Sequence, residues 1–405
     1  MTYYLLPGSV TTQLYKEIKL EFGSEPSECL INESLHEYLS KIKLKISELD
    51  TWDTMKKYTN PYEYIHTTIP GSRSSVCKFK PLSRSYFKMI EMIRSLYLLD
   101  GFGSGPVHTF HLAEGPGGFI EAVRHIRIVE HSASSLDELH GMTLVEDSEH
   151  VPGWKKSKDF LDQNPQVKIE VGKDGTGDVL SPDNLEHNFR QYRNSMHLVT
   201  GDGGFDFSSD FLNQESSAAE LIYGQIAHGI LMQKKGGHMV IKLFDAFTRP
   251  TIEMIYLLSG LYKKVYVIKP NTSRYANSER YLVCKGFKIE DSSDLFDVIM
   301  TSFKKIGESK GLRLKSVLGI KIPHYFITRL EEYNAIIGQQ QIETINSTLQ
   351  LIAAPFSVRN EKIEHLKKNN IMRCTQWCSK NRQSYNKSFG PANIFLTRAQ
   401  NTSQN

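Results

Sequence analysis

The sequence predicts an α/β fold built around a mostly parallel β-sheet. Short apolar runs recur between residues 107 and 285, and helical segments separate most of them. This alternation is typical of parallel sheets, because a parallel pair of strands needs a long crossover connection. The last two apolar runs are joined by P-N-T-S-R-Y-A-N-S, which is too short to hold a helix. That pair is therefore predicted to form an antiparallel hairpin at the edge of the sheet.

The spacing of apolar residues predicts the individual elements. Strands are predicted at 107–113, 196–202, 237–244, 264–269 and 280–285, and helices from about 82, near 182–194, at 215–234 and at 249–260. The rest of 145–190 is polar and glycine-rich, and it predicts no firm element. Three regions follow: a helical N-terminal extension (1–60), a central α/β domain (61–304), and a helical, locally basic C-terminal extension (305–405) with a frayed tail.

Composition excludes several classes of protein. The chain has 405 residues, of which 40% are hydrophobic and 23% charged, enough for one large domain with extensions. It has no run near the roughly 20 apolar residues that span a bilayer, and its start lacks the features of a signal peptide. Five cysteines without C-x-x-C spacing argue against a disulfide framework and a zinc ribbon. We expect an intracellular protein, whose net charge of +4 permits binding to nucleic acid without requiring it.

A glycine-rich loop, A-E-G-P-G-G-F, follows the first predicted strand. Glycines at 115, 117 and 118 allow a tight bend and close approach of a ligand to the backbone. The helix that follows would point its N-terminal N–H groups into that space, which favours an anionic group there. Glycines needed only for packing would produce the same pattern. The loop lacks the G-x-x-x-x-G-K-[ST] pattern of phosphate-binding loops, which argues against an NTPase.

Charged residues stand at unusual places in or beside the predicted strands. Asp202 ends one strand, Asp178 lies in a glycine-rich turn, Lys242 lies within M-V-I-K-L-F, and Glu279 directly precedes R-Y-L-V-C-K. In open α/β sheets, ligands bind beyond the carboxyl ends of the strands, where Asp202 is well placed. A simple turn aspartate explains Asp178 equally well, and an exposed edge strand is the alternative for Lys242. Two opposite charges in neighbouring strands nevertheless indicate a site.

Five motifs in one order resemble the RrmJ/FtsJ-like ribose 2′-O-methyltransferases. They are S-R-S-Y-F-K (83–88), E-G-P-G-G-F (114–119), G-D-G-G-F (201–205), M-V-I-K-L-F (239–244) and S-E-R-Y-L-V (278–283). The resemblance covers roughly residues 60–290 and implies a Rossmann-like sheet that uses S-adenosylmethionine, with Lys88, Asp202, Lys242 and Glu279 as the family's catalytic tetrad. N-P-Y-E-Y-I (60–65) and T-S-R-Y-A-N-S-E-R-Y are most similar to the mRNA cap branch, which implies methylation of the first transcribed nucleotide of capped mRNA.

The same resemblance assigns roles to single residues. A ribose hydroxyl needs a base to become a nucleophile, and burial beside a second cation favours the neutral form of a lysine. Lys242 is therefore the expected base, with Lys88, Asp202 and Glu279 in support, Glu279 by positioning Lys242 across adjacent strands. The loop would hold the methionine and ribose of the cofactor, Asp178 with Val179 would hold its adenine, and no metal is required. The expected cofactor residues are Gly115, Pro116, Gly117, Gly118, Phe119, Asp178, Val179 and Asp202.

RNA contacts are expected from a basic run ahead of Lys88 and from the loop before Glu279. Basic side chains follow phosphates and aromatic rings stack on bases, although core aromatics beside a solvated helix start would give the same pattern. The expected contacts are Arg73, Lys80, Arg84, Ser273, Arg274 and Ser278, with Phe79, Tyr86 and Phe87 as interleaved aromatics.

The sequence also departs from the cap branch. Glu114 stands where a small residue is common, and no clean acidic residue ends the strand near G-M-T-L, which leaves Glu146 as the candidate partner of the cofactor ribose. Capping enzymes or RNA polymerase are the expected protein partners. A compact chain of this kind suits a virus-encoded enzyme, in a virion or a cytoplasmic viral factory, and otherwise the cytoplasm or nucleus. A ribosomal RNA ribose methyltransferase and a non-catalytic RNA-binding accessory subunit remain the alternatives.

Overall fold

A computed structural model describes residues 2–11, 13–47, 49–131, 136–145, 153–204 and 213–386. The chain divides into two compact units. The first, here called the sheet unit, consists of residues 1–49 and 81–345. The second, called the helical unit, consists of residues 50–80 and 346–405. The segment 61–80, predicted to belong to the central domain, thus groups with the C-terminal residues, whereas 1–49 group with the sheet.

Ten strands lie in the described residues of the sheet unit. They are β1 (Thr2–Leu6), β2 (Ile18–Gly23), β3 (His108–Leu112), β4 (Glu138–Met142), β5 (Val167–Glu170), β6 (Met196–Gly201), β7 (Gln233–Leu243), β8 (Tyr262–Lys269), β9 (Arg280–Phe287) and β10 (Arg313–Leu318). Eight form one sheet in the order β1-β8-β9-β7-β6-β3-β4-β5, and β10 pairs with β2 in a second sheet.

Eleven α-helices are found in the described ranges. They are α1 (Glu33–Ser47), α2 (Trp52–Thr59), α3 (Ser85–Leu96), α4 (Gly118–His131), α5 (Lys158–Gln163), α6 (Pro182–Tyr192), α7 (Gln214–Met232), α8 (Arg249–Leu261), α9 (Ser293–Glu308), α10 (His324–Ala353) and α11 (Phe356–Lys380). None of them combines the length and apolar character needed to cross a membrane.

The large sheet is parallel from β5 to β7 and antiparallel beyond. Pairing is parallel between β4 and β5, β3 and β4, β3 and β6, and β6 and β7. It is antiparallel between β7 and β9, β9 and β8, and β8 and β1. From β3 the chain runs to β4 and β5 on one side, and later to β6 and β7 on the other. The order therefore reverses between β3 and β6, where open α/β sheets bind their ligands.

The central strands are apolar because both of their faces are covered by helices. Phe110 and Leu112 of β3, Val199 of β6 and Ile241 of β7 are fully buried, as is most of α7. Helix α3 is amphipathic in sequence, yet its Lys88 and Glu91 are also buried. Burying charges is costly unless they are paired, so these two positions direct attention to the adjoining loops.

The predicted α/β class with an antiparallel end is confirmed, and so are the five predicted strands and the β8–β9 hairpin. The position of that hairpin was predicted wrongly, because β9 pairs with β7 and β1 covers the far side of β8. A purely helical start was also wrong, since residues 1–60 include β1 and β2. Strands β4, β5 and β10 and helix α5 were not predicted. The tail at 397–405 lies outside the described residues.

Candidate active site

Lys88 of α3 and Glu279, just before β9, form a buried ion pair. Lys88 Nζ lies 2.7 Å from one Glu279 carboxylate oxygen and 2.8 Å from the other. The side chains are 9% and 14% exposed, respectively. A carboxylate that accepts from an ammonium in a partly dry site forms a strong, directional contact. Glu279 thus points toward α3 rather than toward solvent.

Lys242 of β7 contacts Asp202, the first residue after β6. Its Nζ donates to the backbone carbonyl of Asp202 at 2.5 Å and lies 3.4 Å from the Asp202 carboxylate. Because β6 and β7 are parallel neighbours, their carboxyl ends bring these two residues together. Lys242 lies on a central strand that pairs with both β6 and β9, so the edge-strand alternative is excluded.

Tyr281 connects the two ion pairs. It lies opposite Lys242 in the β7–β9 register, and its hydroxyl donates to Asp202 at 2.9 Å and accepts from Lys88 Nζ at 3.4 Å. The four residues of the predicted tetrad therefore occupy one hydrogen-bonded cluster. One expected detail differs: the direct partner of Glu279 is Lys88, whereas Asp202 is the residue in contact with Lys242.

Glu279 lies among three lysines. Burial alone would raise its pKa, but Lys88, Lys242 and Lys269 together hold the pKa of this carboxyl well below its usual range. The pKa of the Tyr281 hydroxyl is raised by burial and by the carboxylates of Asp202 and Glu279, so Tyr281 stays a neutral donor. The site therefore holds a fixed anion at Glu279 and a neutral hydroxyl at Tyr281 at neutral pH.

Lys269, the last residue of β8, was not identified from the sequence. Its Nζ is fully buried and donates to three oxygens: the carbonyl of Asn277 at 2.7 Å, the amide oxygen of the same residue at 2.7 Å, and the carbonyl of Glu279 at 2.6 Å. Burial lowers the pKa of Lys269 to about 7, whereas three acceptors favour the charged ammonium with its three donors. The sequence did contain a signal for Lys269: the tripeptide V-I-K that ends β8 is the same as the tripeptide that contains Lys242 in β7.

Hydrogen bonds hold both ends of the loop between β8 and β9. Glu91, one turn after Lys88 on α3, accepts from the backbone N–H of Asn271 at 3.0 Å and of Thr272 at 3.2 Å. Lys269 holds the other end at Asn277. Ser273 is fully buried, and its hydroxyl donates to Asn277 at 3.3 Å. This loop therefore sets the backbone from which Glu279 projects.

A second buried charge network supports the start of β9. One Asp245 oxygen accepts from Lys43 and from the Ser278 hydroxyl, each at 2.9 Å, and the other accepts from Arg280 at 3.0 Å. Arg280 also donates to Asn334 of α10 at 2.9 Å. Burial would raise the pKa of Asp245, but Lys43 and Arg280 lower it to about 2. Ser278 and Ser273 were expected to contact RNA; both are buried and bonded within the protein, so they support the loop instead.

Glu114 occupies the place where the sequence predicted an anionic ligand. One of its carboxylate oxygens accepts from the backbone N–H groups of Phe119 at 2.6 Å and Ile120 at 3.1 Å, which caps α4. Its other oxygen is buried without a partner among the described residues. Burial and the nearby Asp202 raise the pKa of Glu114 well above its usual range. The helix terminus is thus satisfied by the protein's own carboxyl group.

The glycines of this loop serve packing as well as bending. Gly117 has φ +107°, a conformation that side chains disfavour. A Cβ at Gly118 would lie 2.1 Å from the Ser85 hydroxyl, so this glycine lets α3 approach the loop. Trp154, another residue not identified from the sequence, packs its ring against Gly117. Close packing against α3 therefore explains the glycine at 118, and the positive φ of the turn explains the glycine at 117.

The other expected cofactor residues lie near the ends of β3, β4 and β6. Phe119 is fully buried and Val179 is nearly so, its carbonyl accepting from His228 at 3.1 Å. Asp178 is half-buried and accepts from the N–H of Leu180 at 2.8 Å, as a turn aspartate does. Leu144 and Val145, just after β4, expose apolar side chains. Glu146 lies outside the described residues.

The expected RNA contacts fall in both units. Arg84 is half-buried in the sheet unit and donates to the carbonyl of Thr272 at 3.2 Å, and Arg274 is also half-buried. Arg73 and Lys80 are exposed in the helical unit, where Lys80 donates to Ser75 at 2.5 Å. Tyr86 and Phe87 are core residues, so they cannot stack on a base. Across the described ranges, no three His, Cys, Asp or Glu side chains are grouped to hold a metal.

Comparison with known proteins agrees with this geometry. A family model described as FtsJ-like methyltransferase matches residues 81–287, just over half of the chain. Cap-specific mRNA (nucleoside-2′-O-)-methyltransferase 2 of Pongo abelii is 27% identical over 349 residues, which cover 81% of this chain and 43% of that protein. Cap-specific mRNA (nucleoside-2′-O-)-methyltransferase 1 of Homo sapiens is 31% identical over 243 residues, 57% of this chain and 28% of that protein.

The chain spans less than half the length of these relatives. Among solved structures, a putative ribosomal RNA methyltransferase from Plasmodium falciparum aligns with a TM-score of 0.36 and 17% identity, covering 51% of this chain and 98% of that one. The match to the family model and the order of the motifs agree. The chain belongs to the FtsJ-like methyltransferase family.

Proposed function

We propose that this FtsJ-like methyltransferase transfers a methyl group from S-adenosylmethionine to a ribose 2′-hydroxyl near the cap of mRNA. The observation that carries the proposal is the cluster of Lys88, Asp202, Lys242 and Glu279 beyond the strand ends at the reversal of strand order. The names of the relatives, cap-specific mRNA 2′-O-methyltransferases, support the choice of substrate.

The residues at the glycine loop fit this cofactor. S-adenosylmethionine supplies an activated methyl group on a positively charged sulfur, and it also carries an ammonium group. Burial and the nearby Asp202 carboxylate raise the pKa of Glu114, and one Glu114 oxygen has no partner among the described residues, so a bound cation would stabilise its ionised form. Asp178 and the exposed Leu144 and Val145 border the expected adenine site.

Within this proposal, Lys242 takes the proton of the ribose hydroxyl. The Asp202 carbonyl, 2.5 Å from Nζ, orients the amine, and the Asp202 carboxylate stabilises the ammonium that forms. As the hydroxyl oxygen gains the methyl group, its proton passes to Nζ of Lys242. Lys88 and Glu279 act as a fixed ion pair, and Tyr281 ties that pair to Asp202. Arg84 at the start of α3 and Arg274 in the loop between β8 and β9 would contact the RNA.

A comparison of capped and uncapped RNA tests this function. The full chain is incubated with radiolabelled S-adenosylmethionine and two otherwise identical 20-nucleotide RNAs, and digestion locates the labelled ribose. We expect labelling of the capped RNA alone. Equal labelling of both RNAs would favour ribosomal RNA or another RNA as the substrate. No labelling and no binding of S-adenosylmethionine in calorimetry would favour a non-catalytic accessory role.

The position of the methylated nucleotide needs its own experiment. The sequence predicted the first transcribed nucleotide, yet relatives named methyltransferase 2 match more of this chain than those named methyltransferase 1. A capped RNA whose first ribose already carries a 2′-O-methyl group discriminates between the positions. Loss of labelling on that RNA supports the first nucleotide, and full labelling places the target farther along.

The wider assignments are part of the same proposal. Residues 61–304 would hold the catalytic functions, flanked by the extensions 1–60 and 305–405. Other capping enzymes or RNA polymerase would be protein partners, because cap methylation accompanies mRNA synthesis. Cytoplasm, nucleus or a viral factory are the matching compartments.

A further inference from the structure

The two units of the chain carry opposite net charges. The helical unit has fourteen lysine and arginine residues but five aspartate and glutamate residues. The rest of the chain has thirty-five basic and forty acidic residues. The net charge of +4 for the whole chain is therefore the sum of a strongly basic unit and an acidic one. A concentrated positive field of this kind attracts polyanions.

Helix α11 displays this charge along one face. With 3.6 residues per turn, six positions fall on a single stripe about 27 Å long. All are exposed except Asn369, which is half-buried and donates to His365 at 2.9 Å. The residues of this α11 stripe are Lys362, His365, Asn369, Arg373, Gln376 and Lys380.

Acidic residues are kept off the stripe. The acidic residues of α11, Glu361 and Glu364, lie about 100° or more around the helix from Lys362. Glu364 is engaged by Lys367 at 3.5 Å. Among the ion pairs of the described residues, none involves Lys362, Arg373 or Lys380. An ordinary solvated helix surface mixes both signs, whereas this stripe carries lysine, arginine, histidine and amide side chains and no carboxylate.

A cleft of about 560 Å³ adjoins the first half of the stripe, and all of its lining residues belong to the helical unit. Lys362, His365 and Arg373 line it together with one carboxylate, Glu361, and its apolar wall includes Pro61, Leu351 and Leu366. Cations placed beside an apolar wall match a nucleic acid strand, whose phosphates need charge and whose bases need apolar contact.

We propose that the α11 stripe binds the phosphate backbone of the substrate RNA beyond its cap-proximal nucleotides. This inference rests on the proposed function, because it takes RNA as the substrate. The stripe adds affinity that does not depend on sequence, since phosphate contacts carry no base information. The catalytic cluster acts on the ribose, while the stripe retains the rest of the transcript.

Salt dependence of binding tests the stripe. The full chain is titrated with a capped 20-nucleotide RNA and with a capped dinucleotide, at 50 to 200 mM salt. Each phosphate contact to a single strand contributes about 0.7 to the slope of log affinity against log salt. In the triple variant Lys362→Gln, Arg373→Gln, Lys380→Gln, the slope for the long RNA should therefore fall by about 2, and affinity at 100 mM salt should fall about tenfold or more.

A matched variant controls for the change in net charge. Lys304→Gln, Lys310→Gln, Lys321→Gln removes three exposed lysines from the sheet unit, and it should bind the long RNA with nearly the wild-type slope. Equal losses in both triple variants would overturn the proposal, because net charge would then explain the effect. Binding of the stripe to anionic lipid vesicles, with unaltered RNA affinity in the stripe variant, would overturn it as well.

The two hypotheses fail separately in these experiments. A wild-type chain that methylates neither the capped nor the uncapped RNA contradicts the proposed function. A wild-type chain that methylates capped RNA while the stripe variant binds the long RNA normally leaves the function intact and contradicts this inference. A salt slope for the 20-nucleotide RNA that is no steeper than the slope for the dinucleotide, measured with wild-type protein alone, would contradict this inference without any variant.

Discussion

The catalytic cluster and the α11 stripe both depend on lysine, under opposite conditions. Lys88 and Lys269 are buried near Glu279, the Lys242 side chain is 13% exposed, and carboxylate, carbonyl or amide oxygens contact each nitrogen. Lys362 and Lys380 extend into solvent on α11. A buried charge is expensive without partners, so it is held in one geometry, whereas an exposed charge keeps its freedom and acts through the surrounding field. The same residue type is therefore suited to catalysis inside the cluster and to attracting RNA on the exposed face of α11, and its surroundings make the difference.

The largest effect is expected from Lys242→Arg. Arginine keeps the charge and most of the length but cannot readily give up its proton. If Lys242 is the base, the rate should fall at least about a hundredfold, in line with general-base contributions of roughly 10²–10⁴. Affinity for S-adenosylmethionine should stay near the wild-type value. Single-turnover methylation measures the rate, and calorimetry measures that affinity. A variant that keeps more than about a tenth of the wild-type rate would contradict the base assignment.

Asp245→Asn removes the anion from the buried network of Lys43 and Arg280. Breaking such a pair leaves an uncompensated buried cation, so the free energy of unfolding should fall by about 3 kcal/mol at pH 7. In the wild type the pKa of Asp245 is lowered to about 2, so its stabilisation is complete above about pH 4 and is lost as the pH falls through 2. Urea unfolding measured from about pH 4 down to about pH 2 should show this loss of unfolding free energy in the wild type and not in the variant.

Lys269→Met tests whether a buried lysine positions Glu279. The variant leaves three oxygens without their donor, so the backbone at 277–279 should shift and the rate should fall about tenfold, the equivalent of about 1.4 kcal/mol. Affinity for S-adenosylmethionine should stay near the wild-type value. Lys264→Met, at an exposed position of the same strand, is the matched control. A rate restored by cooling to a temperature at which the variant is folded would indicate a loss of stability only.

The smallest effect is expected at an exposed ion pair. Glu186 and Arg190 lie one turn apart on α6, with 35% and 72% of their side chains exposed. Glu186→Gln should change the free energy of unfolding by less than about 0.5 kcal/mol, because solvent screens the pair. Urea unfolding under the conditions used for Asp245→Asn makes the comparison direct. A loss as large as that of Asp245→Asn would mean that burial is not what separates the two kinds of charge.

Local patterns predicted the centre of the sheet and missed its margins. Strands β3, β6 and β7 are apolar and flanked by helices, so their spacing alone identifies them. Strand β1 depends on pairing with β8, far away in sequence, and no local signal reports such a pair. The grouping of the four residues of the predicted tetrad could be predicted because motif order carries information that composition lacks. The capping role of Glu114 and the burial of Ser278 depend on neighbours brought by folding.

Glu114 has a consequence for stability engineering. Its carboxyl group caps α4 through one oxygen and leaves the other buried and without a partner, an arrangement that costs folding free energy when no ligand is bound. Screens for heat resistance should therefore favour replacements of Glu114 that remove the carboxylate oxygen without a hydrogen-bond partner. Such gains would come from the group proposed to receive the cofactor, so a thermostable variant changed at residue 114 should be the one that binds S-adenosylmethionine least well.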